Sequence, residues 1–187
     1  MSLGKKLFLS LAFILSSLSA EVEQVTLIWQ PGLCGSGCVK GLYRELGKIR
    51  GIDTIDINEG TGRAYLTWKP DVKFSFQPIN VAVRIVGIRV NDIRLKVRGK
   101  IHGSAQNLEL ISEGDKTPFR LLNPIIPQGN RAPELKSTLN RQISPEVAQE
   151  LLETAKNNQT VLIEGQFFQP YRSPPNNLVI ERVTVFK

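Results

Sequence analysis

Residues 25–57, VTLIWQPGLCGSGCVKGLYRELGKIRGIDTIDI, decide how the first half of this chain folds. Residues 25–29 are a short β-rich apolar run, and Pro31 and Gly32 end it. A glycine-rich loop follows and holds both cysteines of the chain, Cys34 and Cys38. Behind it, apolar residues recur at Val39, Leu42, Leu46 and Ile49, which is helical spacing. Lys40, Arg44 and Lys48 fall on the other faces, and Gly51 reads as the cap that closes the helix. Residues 52–57, IDTIDI, then alternate in period two, Ile52 and then Ile55 and Ile57 around Asp53 and Asp56, as a strand does.

Toward the C-terminus the pattern continues. NEGTGR carries hairpin turn chemistry, and RAYLTW is the partner strand. Residues 76–86 read as a second helix entered at Pro78, with Ile79, Val81, Ala82, Ile85 and Val86 as its apolar set. Gly87 ends it, and residues 88–92 begin another extended segment. The order β, α, β, β, α, β predicts an α+β unit of the ferredoxin-like kind, a four-stranded antiparallel sheet with two helices on one face.

From Cys38 onward the apolar positions, Gly51, and then Gly60, Thr61 and Gly62 before the strand at 64–68 are spaced as in a known family. Residues 25–92 resemble the heavy-metal-associated domain of copper chaperones, metal-pumping ATPases and periplasmic mercury-binding proteins. That family carries a Gly-Met-x-Cys-x-x-Cys loop after its first strand. Here the loop is Cys-x-x-x-Cys, one residue longer, and Leu33 stands at the methionine position. The resemblance implies that Cys34 and Cys38 bind a thiophilic ion, with Cu(I) as the best single expectation. A metal-donor or metal-acceptor protein would be the partner.

Physical chemistry keeps three readings of the pair open. Soft thiolates select Cu(I), Zn(II) and similar ions, and a cysteine at a helix N-terminus is favoured as thiolate. Two ligands on an exposed loop suit transfer rather than a structural zinc, which takes four. The same two thiols would serve as a redox pair, or would form a small structural disulfide in an oxidising compartment.

The first twenty residues point to such a compartment. Lys5 and Lys6 precede LFLSLAFILSSL, and Ser19 and Ala20 follow, the layout of a secretory signal peptide. Twelve residues are too few to span a bilayer, which takes about 20. The mature chain is therefore expected to be periplasmic or extracellular, without a membrane span. Losing two lysines lowers the net charge from +7 to +5. Lys and Arg are scattered, with one denser stretch at residues 84–100, and nucleic acid is not an expected partner. His102 is the only histidine, which rules out His-based triads and His-rich metal sites, and it is expected near a strand end.

From Ile93 the pattern changes. IRLKVRG alternates Ile93, Leu95 and Val97 with Arg94, Lys96 and Arg98, and two more strands follow at 107–114 and 117–122. After a loop rich in Pro and Gly, Ser144 and Pro145 open a helix that runs to about Asn157. Two strands, at 160–170 and 177–186, finish the chain. Three strands, a helix and two strands is the order of an OB-like β-barrel. Phe119, Phe167, Phe168 and Tyr171 would be its stacking groups and Arg94, Lys96, Arg98 and Lys100 its basic ones, but alternation alone predicts barrel filling and solvated strand faces. Glu109, Glu113 and Asp115 read as a charged turn. No phosphate loop, nucleophile elbow or clustered catalytic set is present, so no enzyme is expected.

The expected protein is thus a signal peptide (1–20), a heavy-metal-associated-like domain (21–92) and an OB-like barrel (93–187). Its first expected function is binding or transfer of a thiophilic ion through Cys34 and Cys38. The alternative is a non-enzymatic envelope interaction module with a structural disulfide, its barrel contacting a protein or glycan.

Overall fold

The computed structural model describes residues 22–124 and 141–186. The expected leader and most of the Pro- and Gly-rich loop lie outside these residues. Twelve elements run in the order β1 (Val22–Trp29), α1 (Ser36–Leu46), β2 (Ile52–Asn58), β3 (Arg63–Trp68), α2 (Gln77–Val86), β4 (Val90–Ser104), β5 (Asn107–Ser112), β6 (Pro118–Leu122), α3 (Pro145–Lys156), β7 (Thr160–Phe168), β8 (Asn176–Val179) and β9 (Arg182–Phe186). The described residues are mixed α and β, with a closed five-stranded barrel and three α-helices.

In the first half the strands lie in the order β2-β3-β1-β4, each antiparallel to its neighbour. Leu42 and Leu46 of α1, and Ile79, Ala82 and Val83 of α2, are buried. The two helices pack together: a side chain at Gly41 would meet Val86 at 3.5 Å. The second helix closes on Gly87 in the left-handed conformation, which glycine adopts without penalty. The first helix is shorter than its sequence suggests. It ends at Leu46 and Gly47 caps it, followed by tight turns from Lys48 and Ile49 back to Glu45 and Leu46. Gly51 has another role. A Cβ there would lie 2.1 Å from the indole of Trp68, so the glycine lets that ring close the sheet edge.

Strand β4 belongs to both halves, and the expected boundary between Asp92 and Ile93 falls inside it. One edge pairs first with β1, from Val90 to Val97, and then with β5, from Gly99 to Ser104. The other edge pairs with β7 from Arg94 to Gly99. Strands β4, β5, β6, β8 and β7 close the barrel, with β6 and β8 parallel. Two glycines let the strands come this close. A Cβ at Gly165 would lie 1.7 Å from the Val179 carbonyl oxygen, and one at Gly99 2.2 Å from that of Ile111.

The third helix begins as its sequence indicates, with Pro145 in the first turn and Ser144 accepting a hydrogen bond from the Val147 N–H at 3.4 Å. The final apolar stretch, expected as one strand, is divided at Ile180 and Glu181. Leu178 and Val179 lie between β6 and β7 inside the barrel, whereas Arg182–Phe186 continues along the same edge of β7 without β6 beside it. Buried residues of both halves form one continuous core.

Candidate functional site: the cysteine corner and the barrel seam

The loop of Cys34 and Cys38 leaves β1 at Trp29 and becomes α1 at Ser36. Gly32 holds it in the left-handed conformation (φ 82°), so a glycine is required there. Gly35 and Gly37 face open space, and neither has a left-handed φ. Gly35 is the N-cap of α1, and no side chain caps the helix. Cys34 therefore stands just before the cap and Cys38 in the first turn. Their sulfurs are bonded, which ties the incoming chain to the helix across the position a capping side chain would hold. Cys34 is only 3% exposed and is part of the core, while Cys38 is half-buried. Leu33 beside them is 72% exposed.

A two-sulfur ion site needs both thiolates free. In the bonded state the pair offers none, and Cys34 faces the core rather than the surface. Among the described residues no group of three or more His, Cys, Asp or Glu side chains could hold an ion together.

The residues singled out in the second half separate into different roles. Phe119 and Phe167 are buried and fill the barrel. Phe168 lies under Arg141, whose guanidinium carbon is 4.3 Å from the ring centroid. Tyr171 stands out on a 3-10 turn, Pro170–Arg172, and is 57% exposed. A cavity of about 120 Å³ opens beside it, lined among others by Asn91, Asp92, Gln166, Phe168 and Gln169.

The basic row on β4 is neutralised by its neighbours. Arg94 reaches Asp92 and Glu181, Lys96 reaches Glu164, and Arg98 reaches Glu23. Burial pushes the Arg94 pKa down, but its bonds to the Asp92 and Glu181 carboxylates outweigh that and raise it. Lys100 donates to Asn158 at 2.7 Å. His102 is exposed on β4 opposite Glu109.

Asp115 is more than a charged turn residue. It accepts the Phe74 N–H at 2.7 Å, the Thr117 N–H at 3.1 Å, and the Ser112 and Thr117 hydroxyls. Burial pushes its pKa up, and these hydrogen bonds more than offset that, holding it below the usual aspartate value. The carboxylate thus ties the β5–β6 turn to the segment leading into α2.

Phe74, which sequence reasoning passed over, and Phe76, expected only as the first residue of the second helix, form the seam between the halves. The Phe74 ring packs on Trp68, Phe119 and Phe167, with centroids 5.2, 5.9 and 6.1 Å away. The Phe76 ring packs on Phe167 at 5.6 Å and Tyr171 at 6.0 Å. The Trp68 indole N–H donates to the Val72 carbonyl at 2.7 Å. Two aromatics close together, Phe74 and Phe76, just ahead of the helix-opening Pro78 are the signal that marks this seam in the sequence. Compared with protein-family models, with curated proteins and with solved structures, the chain finds no match.

Proposed function

We propose that this chain is an exported, non-enzymatic interaction module. In it a ferredoxin-like unit and an OB-like barrel are fused through β4, and Cys34 and Cys38 form a structural disulfide. The burial of Cys34 in the core, bonded to Cys38, carries this reading. The strand order β2-β3-β1-β4, with both helices packed together, supports the ferredoxin-like assignment. The closed barrel with Gly99 and Gly165 at its tight approaches supports the OB-like one. The barrel contacts a protein or glycan through the cleft at Tyr171, where an exposed ring stands beside amide and carboxylate side chains.

A second reading, binding or transfer of Cu(I) by the reduced pair, is favoured by one observation. Cys38 occupies the first turn of α1 directly after β1, where unpaired helix N–H groups favour a thiolate. Thiol titration of freshly exported protein separates the two. The structural reading expects no free thiol, resistance to mild reductant, and a loss of about 2 kcal/mol of stability when both cysteines are replaced by alanine. Free thiols, with tight Cu(I) binding that is lost in Cys34→Ser and in Cys38→Ser, would overturn it.

A further inference from the structure

Six large apolar side chains are exposed among the described residues, and four of them belong to one layer. Leu33 stands in the loop ahead of α1, Tyr43 on α1, and Val81 and Ile85 one turn apart on α2. The residues that these helices turn toward the sheet are buried, so the four exposed ones form the outer side. The same layer holds the charge. Residues 31–50 and 77–89 carry Lys40, Arg44, Lys48, Arg50, Arg84 and Arg89 against a single carboxylate, Glu45. All six cations are exposed. They leave a surplus of five positive charges, which equals the net charge of the whole chain after Ala20. Everything outside the layer, the barrel included, sums to zero.

We infer that this helical layer docks on an anionic phospholipid surface. Val81, Ile85 and Leu33 enter the boundary between headgroups and acyl chains, and Tyr43 sits at headgroup depth. The arginines and lysines meet lipid phosphates, with their stems alongside the apolar groups. A lipid surface fits better than an acidic protein because cations separate the apolar groups. Lysine is depleted from protein interfaces, and Lys40 and Lys48 belong to this layer, whereas a headgroup layer deforms to accept cations and apolar groups alike. This inference rests on the helical layer, and the function proposed above rests on the disulfide and the barrel cleft, so each fails separately.

The test is sedimentation with vesicles of phosphatidylcholine alone and with vesicles of equal parts phosphatidylcholine and phosphatidylglycerol. Wild type and variants all begin at Glu21, since the apolar run at residues 7–18 would itself partition into lipid of either kind. The protein is expected on the anionic vesicles only, and added salt releases it. Arg84→Gln combined with Arg89→Gln lowers partitioning roughly 25-fold, from about fivefold per charge near the surface. Val81→Ser with Ile85→Ser lowers it at least tenfold, while the melting temperature of each variant stays at the wild-type value. Arg182→Gln with Val185→Ser, on β9, leaves partitioning unchanged. Equal binding to both vesicles, or no loss in the α2 variants, overturns the inference. Retention on immobilised polyglutamate without vesicle binding overturns it in favour of an acidic protein partner.

Discussion

Barrel strand β4 and the helical layer both present rows of cations, and they treat them differently. On β4 a strand lies on each side, and those neighbours deliver carboxylates. Glu23 from β1 meets Arg98, and Glu164 from β7 meets Lys96. Arg98 also lies 4.5 Å from the centre of the Phe186 ring. The helices have their neighbours on the inner side only. Arg44 and Lys48 share Glu45, while Lys40, Arg50, Arg84 and Arg89 form no ion pair among the described residues. The difference teaches that a basic stretch has no meaning until its flanking chains are known. In a sheet the cross-strand partner decides the charge that water sees, and on a helix the solvent side decides it.

Both faces rest on the core joined at Phe74, and that gives the largest expected effect. Phe74→Ala removes a buried ring from between Trp68, Phe119 and Phe167. Stability falls by about 3–5 kcal/mol, in one cooperative transition of denaturant unfolding. Two separated transitions would break the premise that the paired and unpaired faces share one framework.

A smaller effect is expected at Asp115. Its folded pKa lies below the ordinary value of 3.8, so its contribution is complete above that value. The contribution is lost as pH falls through the folded pKa, because protonation then favours the unfolded chain. Asp115→Asn is expected to cost about 1–2 kcal/mol at neutral pH and to flatten the acid limb of the stability profile. An unchanged acid limb in this variant would show that the seam does not depend on the carboxylate.

The smallest effects address the comparison directly. Arg98→Gln removes both an ion pair and a ring contact, and about 1 kcal/mol of stability is expected to go with them. Arg84→Gln is expected to change stability by less than about 0.5 kcal/mol. Equal losses in the two thermal unfolding curves would remove the distinction between paired and unpaired rows.

Much of the fold was legible because its signals are local. Period-two alternation placed β2 and the barrel part of β4, the NEGTGR turn placed β3, and Ser144-Pro145 and Gly87 marked helix ends that the structure keeps. What was not legible depends on partners far along the chain. Nothing near Gly51 announces Trp68, and nothing in the final apolar run announces that its first part pairs with β6 as well as β7 while its second pairs with β7 alone. The cysteine corner is a similar case. Spacing located the pair between β1 and α1, but the burial of Cys34 comes from the core beneath the loop. The basic row looked the same in the sequence whether solvated or paired, since Glu23 and Glu164 lie about seventy residues to either side of it.

The sharing of β4 has a consequence for the order in which the chain leaves the ribosome or a membrane pore. Once Ser104 is out, β1 to β4 can assemble, and one edge of β4 is covered. The opposite edge, from Arg94 to Gly99, waits for β7, whose first residue is Thr160. Until then a finished sheet carries a bare ladder of N–H and C=O groups, the kind of edge that recruits foreign strands. Lys96 stands on that stretch with its carboxylate partner, Glu164 of β7, not yet in place, and an unpaired lysine on an exposed edge keeps two such edges from meeting. The lysine that falls silent in the finished barrel thus guards it while it is incomplete.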